Sequence, residues 1–360
     1  MPLGLIHCTL EEDVMLRDCT LPGLYLTGTH LPKLNAQRLQ CNGPLHLSGG
    51  FQATGLVDMS VATIIGQLDC DDGKFLAKDK ALECDAITVG ASVFLRGKFE
   101  AQGEVNLHGA KIDGQLDCTG GRFLAKDKAL NCETISVGAD VLLSEEFEAR
   151  GRIVLFRAVI TGNLQISGAT LTTGLVAQGM RVRAGFFWRN VTGDGIEVDL
   201  IDPHVGTLID SPGSWTSVKR LRLSSFRYDR IESKMDVQER LDWLAKHDAT
   251  VCPFTPQPYV QLANVLRRQG MISAVNTVMI KRKDLQRDAD MEQAVQGNEW
   301  WGLFALVMLL RPFLSLPFKW MFGYGHQPAR VLLWIAAILG ITFWFAQKIH
   351  IHGQFAPTSS

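Results

Sequence analysis

The sequence predicts a mainly β fold, a repeat β-solenoid of the right-handed β-helix type, followed by a small α-helical region and a C-terminal membrane helix. Three observations predict it. The word GQLDC at 66–70 returns at 114–118, and the same 48-residue offset carries FLAKDKAL from 75–82 to 123–130 and FEA from 99–101 to 147–149. Apolar residues inside each unit alternate in short pairs, such as Val93/Leu95, Val105/Leu107 and Leu116/Cys118. Finally, residues 331–346 contain no charged side chain.

The first element, residues 1–205, is the array. GNLQISGA at 162–169 matches the frame from 114 onward, and FQA at 51–53 matches 99–101. Period-two pairs recurring about every dozen residues, with Gly, Asn and Asp between them, describe very short strands joined by turns. Stacked strands of this kind build a solenoid with about two coils per repeat. Some eight coils at ~4.8 Å each give a rod of roughly 40 Å.

The frame also decides what the cysteines do. Stepping by the repeat, Cys70 aligns with Cys118 and then Ile166, Cys84 with Cys132 and then Met180, and Cys41 with Val89 and Val137. Ile, Met and Val cannot replace a metal ligand, whereas a free cysteine packs as a small hydrophobe. Cys70, Cys84, Cys118 and Cys132 are therefore expected in the core. There is no C-x-x-C, and Cys8, Cys19 and Cys252 lack zinc spacing. The N-terminus has no basic stretch followed by a long apolar run, so no secretory signal is expected, and unpaired core thiols fit a reducing cytoplasm.

Residues 206–230 are expected to be an irregular cap over the open strand edges of the last coil. Within 231–298, residues 235–246 read as a helix with Leu241, Trp243 and Leu244 on its apolar side. After a linker with three prolines, a helix from Pro258 stops at Gly270 and another runs from about Ile272 to Asp288. The pair resembles one tetratricopeptide-like helical hairpin. Its second helix carries Lys281, Arg282, Lys283 and Arg287, read as a basic cluster facing anionic lipid, against the alternative of a solvated face.

Segment 299–322 is apolar but broken by Arg311, Pro312 and Pro317. It reads as an interfacial or re-entrant helix, with a second span as the alternative. Segment 330–349 is long enough to span a bilayer, opens at Arg330, and carries Trp334 and Trp344 towards its ends. A buried core helix is the competing reading. The basic residues before the span place that side, and the solenoid with it, on the cytoplasmic face of the inner membrane. Residues 350–360 form a polar tail, in which His350 and His352 are too few for a closed metal site.

Gly323, Tyr324 and Gly325, then Pro328 and Arg330, resemble the Y-G-x-x-P-x-R element of bacterial pentapeptide-repeat-like membrane proteins. The Gly-x-Leu-x-Cys and Gly-Ala-x-Ile words of the array resemble a degenerate form of their repeats, interrupted by loops such as 77–80. The resemblance implies a β-helix and a membrane location, with Tyr324 and Arg330 in its element; Arg311, a charge within an apolar stretch, and Trp334 and Trp344, towards the ends of the span, complete the candidate membrane or gating residues.

The chemistry that is missing narrows the function. There is no P-loop, no G-x-S-x-G, no H-E-x-x-H, and no G-x-G-x-x-G after a strand. His108, outward on its strand, aligns with Phe156, so a catalytic role is not expected. No cofactor and no enzyme activity are expected. A formal charge of −1 argues against a broadly basic nucleic-acid surface. The outward loops at 77–80 and 125–128 are expected to stack, and the aromatics of 186–189 to plug the final coil. The expected function is a non-catalytic, membrane-anchored scaffold whose rod binds a protein partner or a second copy. The alternative is a membrane-permeabilising or ion-conducting effector whose solenoid is the sensor or the oligomerisation module.

Overall fold

The computed structural model describes residues 1–247 and 254–296, together with 335, 338–344, 346 and 347. The chain forms two compact units, Met1–Val251 and Cys252–Ser360.

Short strands, small residues at corners and inward alternation wind the first unit into a parallel β-solenoid of about ten turns. Leu3, Leu24, Leu45, Leu68, Val93, Leu116, Val141, Leu164, Phe186, Leu208 and Ile231 lie in register on successive coils. Ten strand spacings of ~4.8 Å give about 48 Å, longer than the eight coils expected. A coil takes 21 residues from Leu3 to Leu24, then 25 from Leu68 to Val93 and 23 from Val93 to Leu116. The 48-residue repeat is the sum of one long and one short coil.

Each coil has four sides. Two belong to an 18-stranded sheet, one to a ten-stranded sheet and one to a seven-stranded sheet. One corner is turned in coil after coil by a single left-handed residue: Asp18, Arg38, Val61, Ala86, Gly109, Thr134, Arg157, Gly179, Asp202 and Ser225. Only glycine adopts that conformation without strain. The stacked ladders hold the other types in it; behind residues 59–62, for example, Val61 N–H donates to the Asp85 carbonyl of the next coil at 2.8 Å.

Side-chain volume explains why the repeat is two coils. In the column running through Leu47, Cys70, Leu95, Cys118 and Leu143, a thiol always lies between leucines. In the column Met59, Cys84, Leu107, Cys132 and Leu155 each thiol again lies between larger side chains, and Ala62, Ile87, Ala110, Ile135 and Ala158 alternate in the opposite sense. On the third side Phe75 and Phe123 pair in register with Ala53, Ala101 and Ala149. The alanine coils carry their own ring two residues earlier, at Phe51, Phe99 and Phe147. The five rings form a ladder with centroids 5.1–5.5 Å apart. Where the ring sits late, the early position is glycine: a Cβ on Gly121 would lie 2.6 Å from the Leu95 carbonyl oxygen and 3.0 Å from the Phe123 ring. In these columns large lies over small, which fills the interior at the density a core requires.

The ladder does not stop at residue 205. Strands His204–Asp210, Val218–Arg222 and Arg227–Glu232 continue it. Residues 206–230, expected as an irregular cap, are coil, because inward Val205, Leu208, Leu221 and Tyr228 keep the alternation. The strict 48-residue frame ends earlier. Ala177 takes the column of Cys132 and Leu155, so Met180 occupies the position of Ile135 instead of a cysteine's.

The cap is helix α1, Val237–Ala245. Asp236 starts it by accepting from the Glu239 N–H, and the Glu239 side chain accepts from the Asp236 N–H, a reciprocal capping box. Its buried side chains are Arg240, Leu241, Trp243 and Leu244. In the second unit α2, Gln257–Arg268, and α3, Ile272–Gln296, form the expected hairpin, with α3 longer than the sequence indicates. Leu262, Val265 and Leu266 on α2, and Val275 and Val278 on α3, are buried.

Among the described residues no helix is long and apolar enough to cross a membrane. Segment 299–322 lies outside the described residues, and 330–349 is described only at the positions given above. Residues 338–344 are helical, with Ile338, Leu339, Ile341, Phe343 and Trp344 exposed.

Candidate interaction surfaces of the solenoid

Parallel strands in register stack outward side chains about 4.8 Å apart, so every face becomes a set of side-chain columns. On the seven-stranded side Lys74, Glu100, Arg122 and Glu148 are in register. Arg122 bridges Glu100 at 2.9 Å and Glu148 at 3.3 Å. On the ten-stranded side Asp58, Glu83, Asn106 and Asn131 make a polar column, Asp58 half-buried and the other three buried. Asn106 donates to Glu83, and Asn131 donates to Asn106 at 3.0 Å. The loops at 77–80 and 125–128 lie two coils apart on this side, with Glu104 facing Lys80 from the coil between.

The wide sheet carries aromatic and histidine contacts. The Tyr25 and His46 rings stack at 4.8 Å, and His46 Nδ1 lies 3.0 Å from Asp69. Arg96 pairs with Asp71 at 2.6 Å while its guanidinium covers the Phe94 ring at 4.2 Å. At the corner after the ten-stranded side His108, outward as expected, contacts Asp85 at 2.7 Å. Each of these groups is engaged by a neighbour one coil away. Exposed pairs of this sort contribute about 0–1 kcal/mol each, so they tune register and solubility more than stability.

A groove among Arg152, Thr173, Val176, Glu197, Asp199 and Arg222 encloses about 160 Å³. It forms where Gly174 stands between Arg152 and Glu197 of the adjacent coils. That is below the ~300–1,000 Å³ of an ordinary small-molecule site. Among the described residues no three His, Cys, Asp or Glu side chains gather as a metal site would require.

Cys70, Cys84, Cys118 and Cys132 are fully buried, as the repeat frame implies. Burial disfavours the thiolate: it pushes Cys132 up to about 12 and holds Cys70, Cys84 and Cys118 well above the ordinary thiol range. The thiolate is the reactive form, so these four should resist iodoacetamide in the folded protein. Cys118→Val should cost under about 1.5 kcal/mol, checked by urea unfolding; a loss of folding would assign Cys118 a role beyond filling space.

The feature that the sequence pattern missed is the closure at the C-terminal end. Asp210 occupies an inward position, in register with the buried Trp188. Its carboxylate accepts from both terminal nitrogens of Arg240 on α1, each at 2.8 Å, and from Trp215 Nε1 at 2.8 Å. Trp188 and Trp215 stack at 5.1 Å, Trp215 meets Trp243 at 5.7 Å, and Arg240 lies 4.9 Å from the Trp243 ring. Phe186 and Trp188 point inward as expected of a plug, but Phe187 is outward and two further coils follow. An acidic residue at an alternating core position and an arginine on the apolar side of a helix were the available signals.

Of the other expected site residues, Lys281, Arg282, Lys283 and Arg287 lie on α3, where Lys281 is exposed and the other three half-buried. Arg287 lies 3.2 Å from Asp288. Trp344 lies on the exposed helical stretch, while Arg311, Tyr324, Arg330 and Trp334 fall outside the described residues. Comparison with known protein families, characterised proteins and solved structures finds no match to any of them.

Proposed function

We propose that the chain is a non-catalytic scaffold, a solenoid held at the cytoplasmic face of the inner membrane by its C-terminal apolar segments. The rod offers a protein partner, or a second copy, a long surface of fixed spacing. The observation that carries this reading is the ten-turn ladder, along which outward polar groups such as His46, Arg96 and Arg122 are engaged by a neighbouring coil. Such a face recognises by shape and charge pattern, as repeat surfaces do. The uncharged run 331–346 and the exposed apolar residues of 338–344 support anchoring, because a helix that is apolar on every side needs lipid or a core around it. Lys281, Arg282, Lys283 and Arg287 add attraction to anionic headgroups under this reading.

A second reading rests on Arg311, placed within an apolar stretch, since charge inside a membrane is costly and functional by default. Expression of the full chain beside a chain ending at Asp290 separates the two. A scaffold sends only the full chain to the membrane fraction and leaves the membrane potential intact. Depolarisation by the full chain alone would favour the effector, and a full chain that stays in the supernatant would refute anchoring.

A further inference from the structure

Charge is unevenly spread along the solenoid. Residues 1–150 hold 13 Lys and Arg against 21 Asp and Glu, whereas residues 151–234 hold 11 against 7. The near-neutral total therefore conceals an acidic run of coils followed by a basic one. On the wide sheet the basic end has a definite geometry. Arg181, His204 and Arg227 are directly in register on three successive coils. Arg183 projects from the same strand as Arg181, Arg230 follows Arg227 on its own strand, and Arg157 turns the corner just before Arg181's column. All five arginines are exposed.

Counter-charges are scarce on this face. Asp202 pairs with Arg227 and Asp229 with His204, each at 3.2 Å. Arg157, Arg181 and Arg183 form no ion pair among the described residues. Arg181 and Arg227 stand two coils apart in this column, with His204 between them. Elsewhere the same solenoid answers a basic residue with an acidic one a coil away, as at Arg122 and at Arg96. Arg157, Arg181 and Arg183, on two successive coils, lack this compensation, and with Arg227 and Arg230 they leave the face with more basic than acidic groups.

We infer that this face, the last three coils of the wide sheet, docks against an anionic lipid surface. The choice of lipid rests on the membrane-anchoring reading above. Nucleic acid is the less suited polyanion, because the acidic coils of the same rod would repel a long duplex. Against a bilayer, by contrast, the acidic coils can point away while the basic coils approach. Each basic side chain brought to anionic headgroups strengthens the association by about fivefold at physiological salt.

Arginine footprinting of the full chain tests this. The protein is incubated with phosphatidylcholine vesicles, with or without phosphatidylglycerol, treated with phenylglyoxal, and mapped by mass spectrometry; sedimentation of the vesicles reports anchoring separately. Phosphatidylglycerol should slow modification of Arg181, Arg183 and Arg227 by about fivefold or more, and leave Arg17 in the first turn unchanged. In the double variant R181Q and R183Q, Arg227 should lose most of that protection. Unchanged rates at all three arginines overturn the inference, even where the chain sediments with the vesicles. Protection without sedimentation on neutral vesicles supports the face and refutes the apolar anchor. A duplex oligonucleotide that protects the three arginines as well as the vesicles do overturns the assignment to lipid.

Discussion

Arg240→Ala should destabilise the solenoid unit by about 3–5 kcal/mol, because it strips the partner from a carboxylate already removed from water. Asp210 has no exposed side-chain surface and Arg240 only 4%. With Arg240 gone, the Trp215 indole is the one remaining donor seen at 2.8 Å, and a single neutral hydrogen bond cannot compensate a buried charge. The loss should fall on the last coils and α1, where Trp188, Trp215 and Trp243 depend on the same closure. Urea unfolding followed by tryptophan fluorescence measures it. The double change Asp210→Leu with Arg240→Met should recover most of the stability, since replacing both members of a buried pair by apolar groups is often neutral or favourable. A single variant as stable as the parent would mean that water reaches the pair.

The second large effect is expected in the middle of the rod. Phe99→Ala should cost about 3–5 kcal/mol, the range for removing a buried ring that the surroundings cannot refill. Phe99 lies between Phe75 at 5.3 Å and Phe123 at 5.2 Å, so its loss opens a gap on both sides of one layer. Backbone ladders above and below hold the coils at their spacing, which limits collapse. Phe99→Leu should cost clearly less. Thermal unfolding monitored by far-ultraviolet circular dichroism distinguishes them, and equal losses for Leu and Ala would show that ring stacking, not volume, holds the ladder.

Much of this fold was legible in the residues because the array copies itself. The two GQLDC words and the FLAKDKAL segments gave the period, and alternating pairs gave the strands and the inward side. The cysteine assignment followed from substitution within the frame, and Ala177 following Cys132 and Leu155 in one column strengthens it. Legibility faded where copying faded. From residue 181 the strands lengthen, Arg181–Arg189 being nine residues, and the words that marked earlier coils disappear, so 206–230 resembled a cap. The true closure pairs Asp210 with a residue thirty positions on, and nothing in local periodicity reports a partner at that distance. The cationic face was hidden for another reason: summing charge over the whole chain cancels its two halves.

The alternation of large and small layers sets how the rod can change length. Removing one coil of the array would bring two layers of the same kind together, thiol beside thiol in one column and, where Ala101 separates Phe75 from Phe123, two rings at the same register position. Removing or adding two coils leaves every junction complementary. Growth and shortening by duplication are thereby quantised at 48 residues, about 9.6 Å of rod. A family of such chains would differ in reach by whole steps of that size, with the corner turns and the closing helix unchanged.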